Sequence, residues 1–118
     1  SAAVFYNDQQ PDKIFYQGLA LLKLGQAEQA VIRFDNLIHF GNKHMEDEVE
    51  IDYFAVSLPD LLIWEDDLNK KNKIHCHYLK GLGSLGKKKF IKAKKELETV
   101  LTSDVFHTGA LIHLKMIK

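Results

Sequence analysis

The sequence predicts an all-α chain of about six helices, and three observations carry that expectation. Apolar residues recur at spacings of three and four through most of the 118 residues, the periodicity of helices with one buried face. Only two prolines and seven glycines punctuate these stripes. One helix pair, moreover, returns later in the chain: a shift of 63 positions lays Gly18 on Gly81, Leu19 on Leu82, Leu22 on Leu85 and Ala30 on Ala93.

The first helix is expected from Asp12, with Ile14, Phe15, Gly18, Leu19, Leu21 and Leu22 as its stripe, and Lys23 before a stop at Gly25. The second carries Ala27, Ala30, Val31, Phe34, Leu37 and Ile38, with Glu28, Gln29, Arg33, Asp35 and Asn36 opposite, and ends near Phe40-Gly41-Asn42. The first repeat is thus 11–42. Residues 45–69 form a middle unit in which Ile51, Phe54, Ala55 and Leu58 keep helical spacing until Pro59, because a residue before proline is pushed out of the helical region. Pro59 can itself open a short turn through Asp60, Leu61, Leu62 and Trp64.

The second repeat, 70–103, carries Ile74, Tyr78, Gly81, Leu82 and Leu85, a glycine-lysine turn, then Phe90, Ile91, Ala93, Leu97, Val100 and Leu101. A closing helix within 104–118 shows Phe106, Ala110, Leu114 and Ile117, with Asp104 as its expected N-cap. Length places all of this in one domain.

Formal charge is zero, so net charge argues for no nucleic-acid partner. The distribution is uneven: Met45 to Asn69 holds nine acidic residues and no lysine or arginine, whereas Lys70 to Lys95 holds ten lysines and no acid. No apolar run approaches the roughly 18 residues a membrane span needs. The lone Cys76 excludes an internal disulfide, and the expected compartment is cytoplasmic. Ser1-Ala2-Ala3 reads as a tag scar or fragment edge of something longer.

The run Gly18-Leu19-Ala20-Leu21-Leu22-Lys23-Leu24-Gly25, with Ala30 and Phe34, resembles the tetratricopeptide signature, and Gly81, Leu85, Phe90 and Ala93 resemble it more loosely. The 63-residue shift is nearly two periods of about 34 residues, the length of that repeat. The resemblance implies helical hairpins packed through small residues, with the middle unit as a degenerate repeat. A narrower resemblance covers about Glu50 to His113. It rests on Ile51-Asp52-Tyr53-Phe54-Ala55-Val56-Ser57-Leu58-Pro59-Asp60, Asp67-Leu68-Asn69, His75-Cys76 and Gly81-Leu82-Gly83, and is to the C-terminal repeat region of large bacterial proteins. Those proteins carry an upstream β-rich domain of unknown function with suspected links to carbohydrate metabolism. It implies that the chain is a C-terminal piece, and it transfers no catalytic residue.

Candidate chemistry is thin. His75-Cys76-His77 has zinc-ligand residue types, but helical residues two apart point about 200° apart, so convergence would need His77 with His113 or His107. Nothing near Cys76 in sequence activates it as a nucleophile. Glu65, Asp66 and Asp67 read as a solvated helix start, with Asp66 or Asp67 as cap, rather than an acid-base pair. Lys88, Lys89, Lys92 and Lys95, among neighbouring lysines, form a basic patch without interleaved aromatics, expected as a solvated outer face or the counterpart of the acidic segment.

By the tetratricopeptide resemblance, Asp12, Phe15, Leu19, Leu22 and Lys23, then His75, Tyr78, Leu82 and Leu85, line an inner groove. Its apolar character disfavours a peptide-carboxylate clamp. An open stripe of Phe15, Leu19, Leu22, Tyr78 and Leu82 would be a large apolar patch, so the middle segment, with Tyr53, Phe54, Leu61, Leu62, Ile63 and Trp64, is expected to fill it and bury Trp64. The expected function is non-catalytic: protein interaction, with the upstream domain or through self-association such as a homodimer, and with no cofactor, metal, nucleic acid or membrane. The alternative is an accessory region of a carbohydrate-active or sugar-binding protein whose active residues lie upstream.

Overall fold

The computed structural model describes residues 10–47 and 58–117, with side chains from residue 66 onward in the second stretch. Among these there are five helices and no strand: α1 (Pro11–Lys23), α2 (Ala27–His44), α3 (Leu58–Gly86), α4 (Phe90–Ser103) and α5 (Thr108–Leu114). Each helix folds back on its predecessor, with α2 packed most extensively on α3, then α3 on α4 and α1 on α2.

The 63-residue register extends to the backbone. Gly25 and Gln26 donate to the carbonyls of Leu22 and Leu21, closing α1, and Lys88 and Lys89 donate to those of Leu85 and Ser84, closing α3. This paired pattern needs one residue with positive φ after the helix. Gly25 supplies it at 77° and Lys88 at 61°. The small residues sit where helices approach: Gly18 lies against the ring of Phe34, and a Cβ on Gly81 would come within 2.8 Å of Leu97. Phe34 and Leu97 are again 63 apart. Phe34 also lies against Gly86 of α3, so one buried ring fills the space between two helices.

Four local expectations are corrected. First, α2 continues through Gly41 and Asn42 to His44. A Cβ at Gly41 would lie 2.7 Å from the Cys76 carbonyl oxygen, so this glycine serves close approach to α3 rather than a stop. Second, no break separates a middle unit ending at 69 from a second repeat starting at 70, since α3 is one 29-residue helix. Pro59 sits in its first turn, where a missing N–H costs nothing, and Glu65, Asp66 and Asp67 lie inside the helix rather than at its cap. Third, His107 and not Asp104 caps α5, its Nδ1 accepting the Ala110 N–H at 3.0 Å; Asp104 instead receives the Phe106 N–H in the preceding turn. Phe106 therefore precedes the helix and is 83% exposed. Fourth, Ile91 belongs to no core stripe and is 88% exposed. Tyr53 and Phe54 lie outside the described residues, as do the side chains of Leu61 and Trp64.

Candidate functional site

The residues expected to line a groove are mostly interior. Phe15, Tyr78 and Leu82 are buried, while Leu19 and Leu22 are half-buried against the same core. Part of what covers them is α5. Its buried face presents Ala110 and His113, and His113 stacks edge-on to Phe15 with ring centroids 5.3 Å apart, while His107 lies 4.7 Å from the Tyr78 ring.

Under α5 lies a polar cluster that joins three helices. Tyr78 Oη donates to Asp12 Oδ1 at 2.5 Å and sits 3.2 Å from His113 Nδ1. That nitrogen is 2.6 Å from the Gly109 carbonyl oxygen, and His113 Nε2 is 3.0 Å from Tyr16 Oη. A His113 ring protonated on Nδ1 satisfies every partner: Nδ1–H donates to Gly109 O, Nε2 accepts from Tyr16, and the Tyr78 proton goes to Asp12. Gly109 has no room for a side chain because the Tyr78 hydroxyl lies against it.

Burial, the hydrogen bond to the Asp12 carboxylate and the nearby Tyr16 all push the Tyr78 phenol far above its ordinary value. It therefore keeps its proton and acts as a tie between α1, α3 and α5 rather than as an acid or base. His75, also buried, is driven down to about 4 by burial and then by His107. Asp12, already placed on the inner face by the sequence, and Tyr16, one turn on and outside the apolar stripe, complete this cluster from α1. The polar faces of α1 and α5 held the signal, but nothing in either sequence sets their distance.

His77 points away from that cluster, as the 200° separation from His75 requires. It lies 2.6 Å from Glu96 Oε2, and Lys80 lies 3.3 Å from the other oxygen of the same carboxylate. So His77 does not converge with His107 or His113; among the described residues no group of three potential ligands is placed to hold a metal ion. Burial raises the Cys76 thiol to about 11, with Asp47 adding to the effect and Lys80 opposing it. A thiol so raised is a poor nucleophile at neutral pH.

On the far side, Lys88, Lys89, Lys92 and Lys95 are exposed along α4 and the turn before it. Beside them Ile91, Lys94, Lys95, Glu98, Thr99 and Thr102 line a shallow depression. Lys94 lies 3.9 Å from Glu98, and Lys87 holds Asp35 of α2 at 2.6 Å. A second depression, between α3 and α4, is lined by residues including Asp66, Asn69, Lys73, His77 and Thr99.

The second depression sets His77, held through Nδ1 by Glu96, in one lining with the hydroxyl residues Thr99 and Ser103, whereas the cluster under α5 is closed by its own hydrogen bonds. Among the described residues, no helix is long and apolar enough to cross a membrane. In comparison with known proteins, no family model matches the chain and no solved structure matches it.

Proposed function

We propose that this chain is a non-catalytic, tetratricopeptide-like interaction module, a helical brace that docks onto the upstream part of a larger polypeptide or onto a second copy of itself. The observation that carries this reading is the contrast between inside and outside. Polar side chains in the interior are spent on tying helices together, while large apolar side chains stand in solvent: Ile91, Phe106 and Leu24, the last 71% exposed. Each leaves apolar area in water that contact with another polypeptide would bury.

Sedimentation velocity tests the reading. The chain is run alone across a concentration series and then mixed with the polypeptide that precedes it in its parent protein. Association in either sample supports an interaction module; monomers in both at high micromolar concentration overturn it.

A further inference from the structure

One flank of α3 carries α2, and the contact is made at Cys76, Lys80, Gly83, Gly86 and Lys87. Gly41 of α2 approaches the Cys76 carbonyl and the Lys80 side chain, a Cβ on Gly83 would lie 2.6 Å from both the Phe34 carbonyl oxygen and Ile38, Gly86 meets the Phe34 ring, and Lys87 holds Asp35. Sixty-three positions earlier stand Lys13, Gln17, Ala20, Lys23 and Leu24, with Tyr16 at the position of the fully buried Leu79. All six are exposed. The turns that close α1 and α3 are the same in backbone hydrogen bonding, so the correspondence is one of structure as well as sequence.

We infer that this flank of α1 is a docking site for an amphipathic helix with acidic residues near both ends, seated as α2 is seated on α3. Tyr16, Ala20 and Leu24 follow one another at intervals of four and form a single ridge, the arrangement by which helices interdigitate. Ala20, in the centre, occupies the place of Gly83 and keeps the close approach that a larger side chain would block. The occupant is helical because the backbone groups of Tyr16, Gln17 and Ala20, along the centre of this flank, lie within the hydrogen-bonded ladder of α1 and leave only side-chain ridges to be matched there.

Its charge follows from the two lysines. Lys13 and Lys23 stand where α3 has the neutral Cys76 and Gly86, and neither makes an ion pair among the described residues. Carboxylates on the incoming helix meet them as Asp35 meets Lys87. The site extends the established α2–α3 interface by one step along the stack, and it rests on the reading of the chain as an interaction module.

The probe is a fluorescein-labelled peptide of the α2 sequence 27–44, stapled on its solvent side and carrying Lys43→Glu, which adds an acid at the end facing Lys13. Titrated with the whole chain, it is expected to give saturable anisotropy below about 1 mM, an affinity worth roughly 4 kcal/mol. Ala20→Glu exchanges one good helix former for another and is expected to weaken binding at least about tenfold, because it buries an unpaired charge. Leu24→Glu, beyond the end of α1, gives the same direction without touching the helix interior. Lys13→Glu with Lys23→Glu weakens binding several-fold and reduces its salt dependence, whereas Ile91→Glu on α4 leaves it unchanged. Absence of saturable binding to the unaltered chain, or binding indifferent to both Ala20→Glu and Leu24→Glu, overturns the site. If sedimentation still shows association, the interaction reading stands on another surface.

Discussion

In the first hairpin Gly18 faces Phe34, and in the second Gly81 faces Leu97. The core ring at position 15 is a phenylalanine in one and, as Tyr78, a tyrosine in the other. Position 12 is an exposed aspartate; its counterpart, His75, is buried. The two hairpins share a backbone register and differ in their surroundings: α1–α2 stands at one edge of the stack, and α3–α4 lies between α2 and α5. Side chains follow that difference. In the enclosed second hairpin His75 and Tyr78 are buried, whereas in the first Asp12 and Tyr16 stay exposed while reaching Tyr78 and His113 at the edge of the polar cluster.

The largest expected effect is at the paired core position. Phe34 fills space against both Gly18 and Gly86, whereas Leu97 meets Gly81 alone. Phe34→Ala is therefore expected to cost about 4 kcal/mol and Leu97→Ala about 3 kcal/mol, read as shifts in urea midpoint at unchanged slope. Equal costs would break the claim that the first ring also serves the interface between hairpins.

Next comes the buried histidine. An unfolded chain binds a proton at His75 near 6.5, but the folded chain does so only at about 4. The unfolded state thus holds more protons between those values. Stability falls as pH drops below about 6.5 and the loss levels off below about 4, reaching about 3 kcal/mol from this group. Denaturation at pH 7 and 4.5 for the chain and for His75→Gln isolates the contribution: the variant should lose less stability than the parent. Parallel losses would mean that His75 is not the group held neutral by enclosure.

The third effect turns the second hairpin into a likeness of the first. Tyr78→Phe removes the hydroxyl that donates to Asp12 and adjoins His113, and a cost of about 1.5 kcal/mol is expected. Hydrogen exchange should quicken in α5, which loses its hydroxyl contact with α3. An unchanged α5 would locate its anchoring in the packing of Ala110 and Leu114 instead.

The all-helical class is legible in the sequence from its apolar periodicity, and the 63-residue shift that lays Gly18 on Gly81 and Ala30 on Ala93 marks places where helices approach closely. Signals with two physical uses were the ones misread. Gly41 reads as a stop, but a glycine serves equally where backbones meet, and only the position of Cys76 decides between them. Pro59 ends one helix or begins another, and no turn residue after it halts α3 before Gly86. The part played by α5 over the candidate groove was hidden for a related reason. Periodicity tells that Phe15, Tyr78 and Leu82 are apolar-face residues, but not that α5 lies back over them, since that contact depends on His113 meeting Tyr16 across 97 residues. That His75 and His77 face opposite ways was legible, because it follows from helix geometry alone.

The smallest effect concerns the turn that both hairpins share. Gly25 and Lys88 occupy the same place and both carry positive φ, which costs an L-residue roughly 1–2 kcal/mol and glycine almost nothing. A Cβ on Gly25 would meet nothing within 4 Å, so any penalty there comes from the backbone and not from crowding. Gly25→Ala should then destabilise by about 1 kcal/mol. Lys88→Gly should stabilise by about 0.5 kcal/mol, less than the strain it removes because glycine also loosens the unfolded chain. Thermal unfolding at low salt checks the pair. Opposite signs are required if the two turns are one structure; a destabilised Lys88→Gly would show that the Lys88 side chain contributes more through its contacts than its backbone costs.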